Sequence, residues 1–483
     1  MSTPSPSPQT GSVPVPPPPD GLSRAGLFAT LSALFLSVVS FAAAAIAVPD
    51  IGDSLRATAS EQSLVVSIYA LGFAVPLVLG GRLGDVYGRR RMLLLGMAGF
   101  TVFSLLAAFA PTMVVLIGAR ALMGISAAAM VPQVLATITA SAQGAERARA
   151  VAWFGATAGG ATAVGQILGG LLLAVPLFGD GWRTVFAVSA GVGALSFLAA
   201  LRWTPFTRAD GHRSLDLPGT ALLGAALIAL LVPLSQGSGL GWPVWCWGLL
   251  IAAPLLFGAF WGWQHRVHRS NRAPLVPPPL FRLSSYRVGI LMALMLQSAY
   301  GAFTFVYALT AQTGLGWSPL RTALVLLPFA LCFFGVSVWS GTLATRFGFR
   351  RVLITGGLIQ ALLLTITAAS VLLQRPEPSP WVVAALLTGV GLGQALMFGP
   401  LVGAMVADVP SAMAGAASGV LQTVQQASMG LGVALAGGLL SVSVSDVTAN
   451  VAAAYTGALA VCMIIQAAFG VAFALTALGL PRR

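Results

Sequence analysis

A single arginine, Arg120, lies in the middle of an apolar stretch that reads VVLIGARALMGISAAAM. A charged side chain is costly at this depth of a lipid bilayer, and it therefore marks a functional site by default. The structural alternative is a clamp, in which the guanidinium donates hydrogen bonds to backbone carbonyl groups of a neighbouring helix. On the residues alone, both alternatives remain open.

The acidic residues avoid the middle of every apolar stretch. We expect all twelve in loops or at helix ends: Asp20, Asp50, Asp53, Glu61, Asp85, Glu146, Asp180, Asp210, Asp216, Glu377, Asp408 and Asp446. Glu61 is the best candidate for a titrating carboxylate at the rim of a cavity, because partial burial favours the protonated form. Asp50 and Asp53 come next, and the alternative is that all three are solvated helix caps. A cavity with Arg120 and no buried carboxylate suits a neutral or anionic ligand better than a dicationic one.

The composition excludes several classes of protein. Hydrophobic residues make up 57% of the chain and charged residues only 8%. The chain contains no lysine, which excludes an ATP site of the GxxxxGK[ST] type. The three cysteines and three histidines lack metal or redox spacing, so we expect no metal, no cofactor and no enzyme activity. The net charge of +13 comes from arginines placed where membrane topology requires them, which indicates lipid and not nucleic acid as a partner.

Fourteen apolar stretches approach the length of about 20 residues that a transmembrane helix needs. They are residues 25–48, 61–81, 92–110, 113–139, 150–174, 184–201, 218–235, 245–263, 286–311, 320–341, 352–373, 380–406, 416–440 and 453–478. The sequence therefore predicts an all-α polytopic membrane protein. Most arginines fall in alternate loops, which places both termini in the cytoplasm and agrees with an even number of spans.

The spans form two blocks of six. Residues 25–201 are predicted to form an N-terminal six-helix bundle, and residues 286–478 a C-terminal one. Residues 202–285 would hold two extra central transmembrane helices with flanking cytoplasmic loops. The Pro/Ser-rich residues 1–24 predict a disordered cytoplasmic tail, and residues 479–483 a short cytoplasmic end.

An internal repeat supports this division. The segment GRLGDVYGRRR at 81–91 contains a predicted tight cytoplasmic turn, residues 82–91, and GTLATRFGFRR at 341–351 repeats the segment. Two glycines and two arginines recur at the same spacing, whereas Asp85 is replaced by Thr345. Internal duplication with the ligand site at the repeat interface is the architecture of secondary transporters.

The first of these segments resembles the loop signature of the major facilitator superfamily, and the count of fourteen spans resembles its drug:proton antiporter-2 branch, the QacA-like exporters. Further resemblances to that branch occur in RALMG at 120–124, the Gly-rich span GATAGGATAVGQILGG at 155–170, QTGLGWSPLRTALVLLP at 312–328 and AGAASGVLQTVQQASMGLG at 414–432. The resemblance implies two bundles that open alternately to the two sides of the membrane. It also implies that Arg120 faces the central cavity and takes part in proton coupling or substrate binding.

The resemblance also assigns a conformational latch. Asp85 is implied to hold the cytoplasmic ends of two helices together in the outward-open state, pairing with helix dipoles or arginine. The residues assigned to the latch and its weaker copy are Gly81, Asp85, Gly88, Arg89, Arg90, Gly341, Gly348 and Arg350. With Thr345 in place of an acid, the copy is expected to latch less.

Small residues and amides mark further candidates inside the spans. The glycines that resemble the exporter motif are Gly155, Gly159, Gly165, Gly169 and Gly170. They permit close helix packing, and they serve either as a seal or hinge of the exporter cycle or as plain packing. Candidate coupling or cavity amides are Gln166, Gln297, Gln312, Gln422 and Gln426. The alternative for each amide is hydrogen bonding between helices.

One departure from the family pattern bears on the mechanism. Span one of the resembled branch carries an aspartate where this chain has Ser40. Proton exchange would then use a rim carboxylate or the charge of the substrate. We expect a multi-pass protein of the bacterial inner membrane that exports a small amphipathic compound, such as a drug, antibiotic or toxic metabolite, by proton antiport. The alternatives are a facilitator or importer of the same fold, and a membrane protein that senses or handles lipid.

Overall fold

The structure is a computed structural model that describes residues 22–57, 59–173, 177, 179–207, 216–237, 241–270, 272, 274–410, 413–444 and 451–480. Residues 1–21 of the expected N-terminal tail and residues 481–483 lie outside this part of the chain. The described residues form helices and no strand, so the all-α class is confirmed.

Fifteen α-helices follow one another along the described residues. Their bounds are α1 Arg24–Leu55, α2 Ala59–Ala74, α3 Leu77–Tyr87, α4 Arg89–Ala108, α5 Met113–Ser141, α6 Gly144–Leu173, α7 Gly181–Trp203, α8 Leu217–Gln236, α9 Val244–Arg269, α10 Ser284–Leu309, α11 Pro319–Phe347, α12 Phe349–Leu373, α13 Pro380–Val406, α14 Ala414–Val444 and α15 Val451–Thr476. Short 3-10 turns at Pro278–Arg282 and Ala477–Gly479 and a π-helical turn at Thr310–Gly314 complete them.

Twelve of these helices are long and apolar enough to cross a membrane, and α2 with α3 makes a thirteenth if the bent pair is one span. The two halves of that span meet at an angle of 42°. The break contains Pro76, which has no backbone N–H and cannot continue the helical hydrogen bonds. Both α8 and α9 are among the twelve, whereas α14 is a 31-residue helix outside that set. The total of fourteen spans stays a prediction.

The turn between the second and third spans is much shorter in the structure than the predicted residues 82–91. Helix α3 continues through Tyr87 and α4 begins at Arg89, so the turn between them is the single residue Gly88. Its φ of 100° lies in a region that glycine adopts without strain, and Gly348 (φ 85°) makes the same turn between α11 and α12. A residue in this conformation reverses the chain at once, and no longer loop is needed. We call the face of the protein with these two turns the arginine-rich face.

The helices on either side of α8 and α9 pack as two groups. In the first group, α1 packs on α6 and α7, and α4 packs on α5 and α7. In the second group, α12 packs on α13 and α15, and α10 packs on α14 and α15. Two seams join the groups, one where α6 meets α11 and α13, and one where α14 meets α3 and α5. The two seams are counterparts, because each brings the fifth span of one group against the second span of the other.

Helices α8 and α9 form a hairpin, and α8 packs beside the second seam. Helix α8 contacts both α14 and α2. At its base the buried carboxylate of Asp216 accepts hydrogen bonds from Trp263 Nε1 (2.8 Å) and Gln264 Nε2 (2.7 Å) of α9 and caps α8 through Gly219 N (2.9 Å). Gln264 Oε1 accepts in turn from Val276 N at 3.0 Å. One acid therefore joins the two helices and the segment that follows them.

Removal of this acid is expected to loosen the hairpin. The Asp216→Ala variant leaves two buried donors without an acceptor, which lowers its stability by roughly 3 kcal/mol. Thermal unfolding of the purified protein should show a lower melting temperature than for the wild type. The control is Asp53→Ala, which removes an exposed acid. Equal melting temperatures for the two variants would contradict the role given to Asp216.

Close backbone contact holds the second group together. A Cβ on Gly432 of α14 would lie 1.9 Å from the carbonyl oxygen of Ser298 in α10. We therefore expect Gly432→Ala to force the two helices apart, at a cost of about 1–3 kcal/mol. The matched control is Gly335→Ala in α11, where nothing lies within 4 Å of the added carbon. Melting temperatures should fall for the first variant and hold or rise for the second, because alanine favours helix more than glycine does.

Candidate functional site

The latch predicted from the sequence lies at the seam between α3 and α14. Asp85 is 5% exposed, and its carboxylate accepts a hydrogen bond from the backbone N–H of Ala416 at 3.2 Å. Ala416 lies in the first turn of α14, where backbone N–H groups have no acceptor within the helix and favour a negative charge. Arg89 donates to the same carboxylate at 3.3 Å and is 1% exposed. The carboxylate therefore joins the two helix groups on the arginine-rich face.

Glycines make this approach possible. A Cβ on Gly81 would lie 2.4 Å from the carbonyl oxygen of Gly415, and a Cβ on Gly415 would lie 2.4 Å from the Asp85 carboxylate. One turn further along α14, Gly419 packs on the backbone of Val78. Larger residues at these positions would separate α3 from α14 and remove the acid from the helix end.

Neighbouring side chains hold both sides of the latch. Ser418 of α14 donates to the carbonyl oxygen of Pro132 in α5 at 2.9 Å, and Tyr286 donates to that of Ala417 at 2.9 Å. Gln133, which is fully buried, donates to the carbonyl oxygen of Gly80 at 2.7 Å. The first two turns of α14 are thus tied to α3, α5 and α10.

The arginines of the first repeat reach the end of α7. The guanidinium of Arg90 donates to the carbonyl oxygen of Leu201 and lies 3.9 Å from the centre of the Phe206 ring. The backbone N–H of Arg89 donates to the carbonyl oxygen of Thr207 at 3.3 Å. These contacts fix the Gly88 turn against the segment that leads toward α8.

The second repeat makes the same glycine contact without the acid. A Cβ on Gly341 would lie 2.4 Å from the carbonyl oxygen of Ala148 in α6. Thr345, at the position of Asp85, is exposed and donates only to the carbonyl oxygen of Thr342 at 2.9 Å among the described residues. Gly348 forms the turn and Arg350 follows it, half-buried. This seam lacks the carboxylate of the first, although Arg147 of α6 donates across it to the carbonyl oxygen of Val406 in α13 at 2.9 Å.

Arg120 lies among the helices of the first group and is fully buried. Its Nε donates to the carbonyl oxygen of Val65 in α2 at 3.0 Å, and its guanidinium carbon lies 4.4 Å from the centre of the Tyr69 ring. Phe186 of α7 covers it at 5.9 Å. The bond to Val65 matches the structural alternative, a helix clamp. The assignment of Arg120 to coupling or to a central cavity stays a prediction.

The clamp leaves most of the guanidinium without hydrogen bonds. Both terminal nitrogens of Arg120 are buried and have no partner among the described residues. Tyr69 instead pairs with Ser37 of α1, at 2.8 Å between the hydroxyl oxygens. Ser40 is 1% exposed and its hydroxyl also has no partner in the described part of the chain. A buried donor without an acceptor is unfavourable, so the terminal nitrogens of Arg120 can donate hydrogen bonds to a water or an anion.

The glycines of α6 divide into two sets. A Cβ on Gly155 would lie 3.2 Å from Phe398 of α13, and one on Gly159 would lie 2.1 Å from Phe333 of α11. Gly165 and Gly169 instead contact α1, whereas nothing lies within 4 Å of a Cβ on Gly170. The glycines in the N-terminal half of α6 thus contact the second helix group, and those in the C-terminal half contact α1. The neighbours of α6 change along its length. The side chain of Gln166 lies outside the part of the chain that the structure describes.

The other candidate amides lie on α10, on α14 and in the π-helical turn. Gln422 is buried and Gln426 half-buried on α14, Gln297 is half-buried on α10, and Gln312 is exposed in the π-helical turn. Two amides outside this set do pair, since Gln360 Nε2 donates to Gln394 Oε1 at 2.6 Å between α12 and α13. That pair is hydrogen bonding between helices. A substrate role for the four other amides stays a prediction.

The rim acids occupy helix ends at the face opposite the arginines. Glu61 lies half-buried in the first turn of α2, whereas Asp53 is exposed. Asp50 accepts from the backbone N–H of Trp182 at 2.9 Å at the start of α7. Next to it, a hydrogen bond from Ser54 (2.8 Å), supported by Arg183 (3.2 Å), lowers the pKa of Asp180 below its ordinary value. Asp50 therefore caps the start of α7, and Asp180 joins Ser54 of α1 to Arg183 of α7.

Sequence reasoning missed several buried polar residues. Asp216, Tyr69, Gln133 and Arg147 all make contacts between helices, and Arg147 Nη2 donates to the carbonyl oxygen of Val406 at 2.9 Å. A polar residue in a long apolar stretch is a usable signal for Tyr69 and Gln133. No pattern along the chain marks the partners of Asp216 or Arg147, because those partners are distant in sequence.

Comparison with known proteins agrees with the fold. The sequence profile of the Major Facilitator Superfamily matches residues 30–433. The chain is 34% identical over 424 residues to the probable actinorhodin transporter of Streptomyces coelicolor, which covers 88% of this chain and 73% of that protein. It is 36% identical over 435 residues to the puromycin resistance protein pur8 of Streptomyces alboniger, which covers 86% of this chain and 82% of that protein.

A solved structure supports the fold alone. The crystal structure of the human organic anion transporter MFSD10 matches with a TM-score of 0.68 and 16% identity, over 95% of this chain and 100% of that one. The sequence profile and the similar sequences lead to one assignment. This chain is a membrane transporter that belongs to the Major Facilitator Superfamily.

Proposed function

We propose that the protein exports a small amphipathic compound by proton antiport, through alternating access between two six-helix bundles. The observation that carries this proposal is the bond between the Asp85 carboxylate and the first turn of α14. It joins the two bundles on the arginine-rich face, and that face opens only when the bond breaks. In the orientation that the arginine distribution predicts, this face is cytoplasmic, and an engaged latch belongs to the outward-facing state.

The direction and the class of substrate come from the relatives. The probable actinorhodin transporter and the puromycin resistance protein are named for an antibiotic. We infer that this chain, in a bacterial inner membrane, removes a compound of that kind, a drug or toxic metabolite from the cell interior. Within the fourteen-span drug:proton antiporter-2 branch, α8 and α9 would be the extra central pair. The contact of α8 with α2 and α14 supports that placement.

The charge of the substrate is inferred from the buried groups. Both terminal nitrogens of Arg120 lack a partner, and among the described residues no acid lies beside them. A buried guanidinium repels a dication and attracts an anion or a neutral acceptor. We therefore favour a neutral or anionic substrate. Because Ser40 stands where the resembled branch has an acid, the proton would be carried at the rim, with Glu61 as the candidate.

Transport into everted membrane vesicles tests the proposal directly. Vesicles that contain the protein should accumulate puromycin, used as the probe, when the lumen is acidic, and a protonophore should abolish the uptake. Expression in a sensitive host should raise resistance to the same probe. Vesicles without the protein are the control. Uptake that does not depend on the pH gradient would indicate the facilitator, and neither uptake nor resistance across an antibiotic panel would favour the lipid-handling alternative.

A further inference from the structure

The second repeat borders a basic cavity on the arginine-rich face. Its volume is about 1100 Å³, and it lies between the first turns of α6, the Gly348 turn and the last turn of α13. Four arginines line it: Arg147, Arg346, Arg350 and Arg351. None of the lining residues is acidic, and none of the four arginines pairs with a carboxylate within the described residues.

The cavity exists because the two seams differ in register. Gly81 meets the second residue of α14, whereas Gly341 meets Ala148, the fifth residue of α6. Helix α6 therefore continues almost one turn beyond the glycine contact and places Arg147 over the α11–α12 turn. Its Nη2 is bound to the carbonyl oxygen of Val406, but its Nε is buried without a partner.

The missing acid of the repeat makes the cavity basic. In the first seam the space beside the glycine contact holds the Asp85 carboxylate, which is bound by Arg89. In the second seam the same positions hold Thr345 and Phe349, and the charges nearby are all positive. The nearest acids in the sequence are Glu146 and Asp408, and neither lines the cavity. An external anion would therefore supply the charge that the repeat has lost.

We propose that this cavity binds a phosphate group, carried either by an anionic phospholipid or by free phosphate in solution. Arginine presents several N–H donors in a planar fork that suits the oxygens of phosphate. The lining also includes the apolar residues Phe347, Ile354 and Leu478, which could contact the start of an acyl chain. The site is separate from Arg120 and does not depend on the direction of transport.

Native mass spectrometry of the full-length protein tests the proposal. The protein is released from nanodiscs of phosphatidylcholine mixed with phosphatidylglycerol, and the retained phosphatidylglycerol is counted. A parallel titration with inorganic phosphate in pure phosphatidylcholine nanodiscs uses thermal unfolding as its readout. Retained lipid without a response to phosphate identifies the lipid source, whereas stabilisation by phosphate identifies the soluble one. If neither ligand binds, the proposal is wrong.

Two pairs of variants link binding to the cavity. Neutralising one arginine in Arg350→Gln or Arg351→Gln should weaken binding by roughly fivefold, as expected for one charge near a headgroup. Arg91→Gln, the exposed counterpart in the first repeat, should leave it unchanged. Thr345→Asp should displace the ligand, and its uncharged match Thr345→Asn should not. Equal binding by both members of either pair would overturn the proposal.

Discussion

Efflux should fall by at least about tenfold in the Asp85→Asn variant, because the change removes the charge that holds α3 against α14. The carboxylate accepts from Ala416 N at 3.2 Å and from Arg89 at 3.3 Å. Hydrogen bonds to a charged group contribute about 1.5–3 kcal/mol, so the ratio of latched to open protein should fall by roughly ten- to a hundredfold. Transport needs both states, and a protein that rests mostly open on one face completes fewer cycles.

Spin labels can report the same change without transport. Tyr87 and Phe347, at the exposed ends of α3 and α11, are suitable sites in a background without Cys246, Cys332 and Cys462. The distance between labels should lengthen and broaden in Asp85→Asn. The control is Thr345→Val, which removes a hydroxyl bonded only within its own helix among the described residues. Unchanged efflux and unchanged distances in Asp85→Asn would show that the observed bond is not a latch.

The second large effect is expected at Arg120, where a substitution should lower efflux without lowering the melting temperature. Replacement of a buried charge by an apolar side chain of similar volume is often neutral or stabilising, because the desolvation of the charge no longer opposes folding. Arg120 is fully buried, and only its Nε makes a hydrogen bond within the described residues. Arg120→Met should therefore keep or raise the melting temperature, while efflux falls by more than about tenfold if the guanidinium serves transport.

A second arginine provides the structural comparison. Arg183 donates to the carbonyl oxygens of Ala108 and Ala110, both at 3.0 Å, and pairs with Asp180. Arg183→Met should lower the melting temperature and reduce efflux only as far as folded protein is lost. If Arg120→Met behaves in the same way, or keeps full efflux, then Arg120 is a helix clamp and its assignment to coupling is wrong.

Much of the fold could be predicted from the sequence because it depends on local properties. The length of an apolar stretch decides whether it spans a bilayer, and the apolar stretches match helices along the described residues. Gly88 and Gly348, which the repeat places at equivalent positions, end α3 and α11. The predicted turn at 82–91 is longer than the observed one, because α3 includes Arg82 and Asp85. Both side chains are buried on α3, where each has partners.

The candidate site was predicted less completely. The resemblance implied a latch at Asp85, and that role stays a prediction, but the hydrogen bond from Ala416 to its carboxylate required the structure. The exporter glycines were expected to permit close helix packing, but the sequence did not indicate which helices they contact: Gly155 meets α13 and Gly165 meets α1. The reason is that a helical wheel describes one helix, whereas the neighbours of a helix change along its length.

The sequence by itself determined that this chain is a membrane protein and that its spans are helical. It also determined that the two halves share a repeat, with Asp85 in the first copy and Thr345 at the same position of the second. These properties follow from transfer energies and backbone geometry, which act over neighbouring residues. Only the tertiary structure decided that Asp85 meets a residue 331 positions away, that Arg120 bonds to Val65, and that the second repeat encloses a basic cavity. Contacts over such distances depend on how all the helices pack together, and no local pattern specifies that packing.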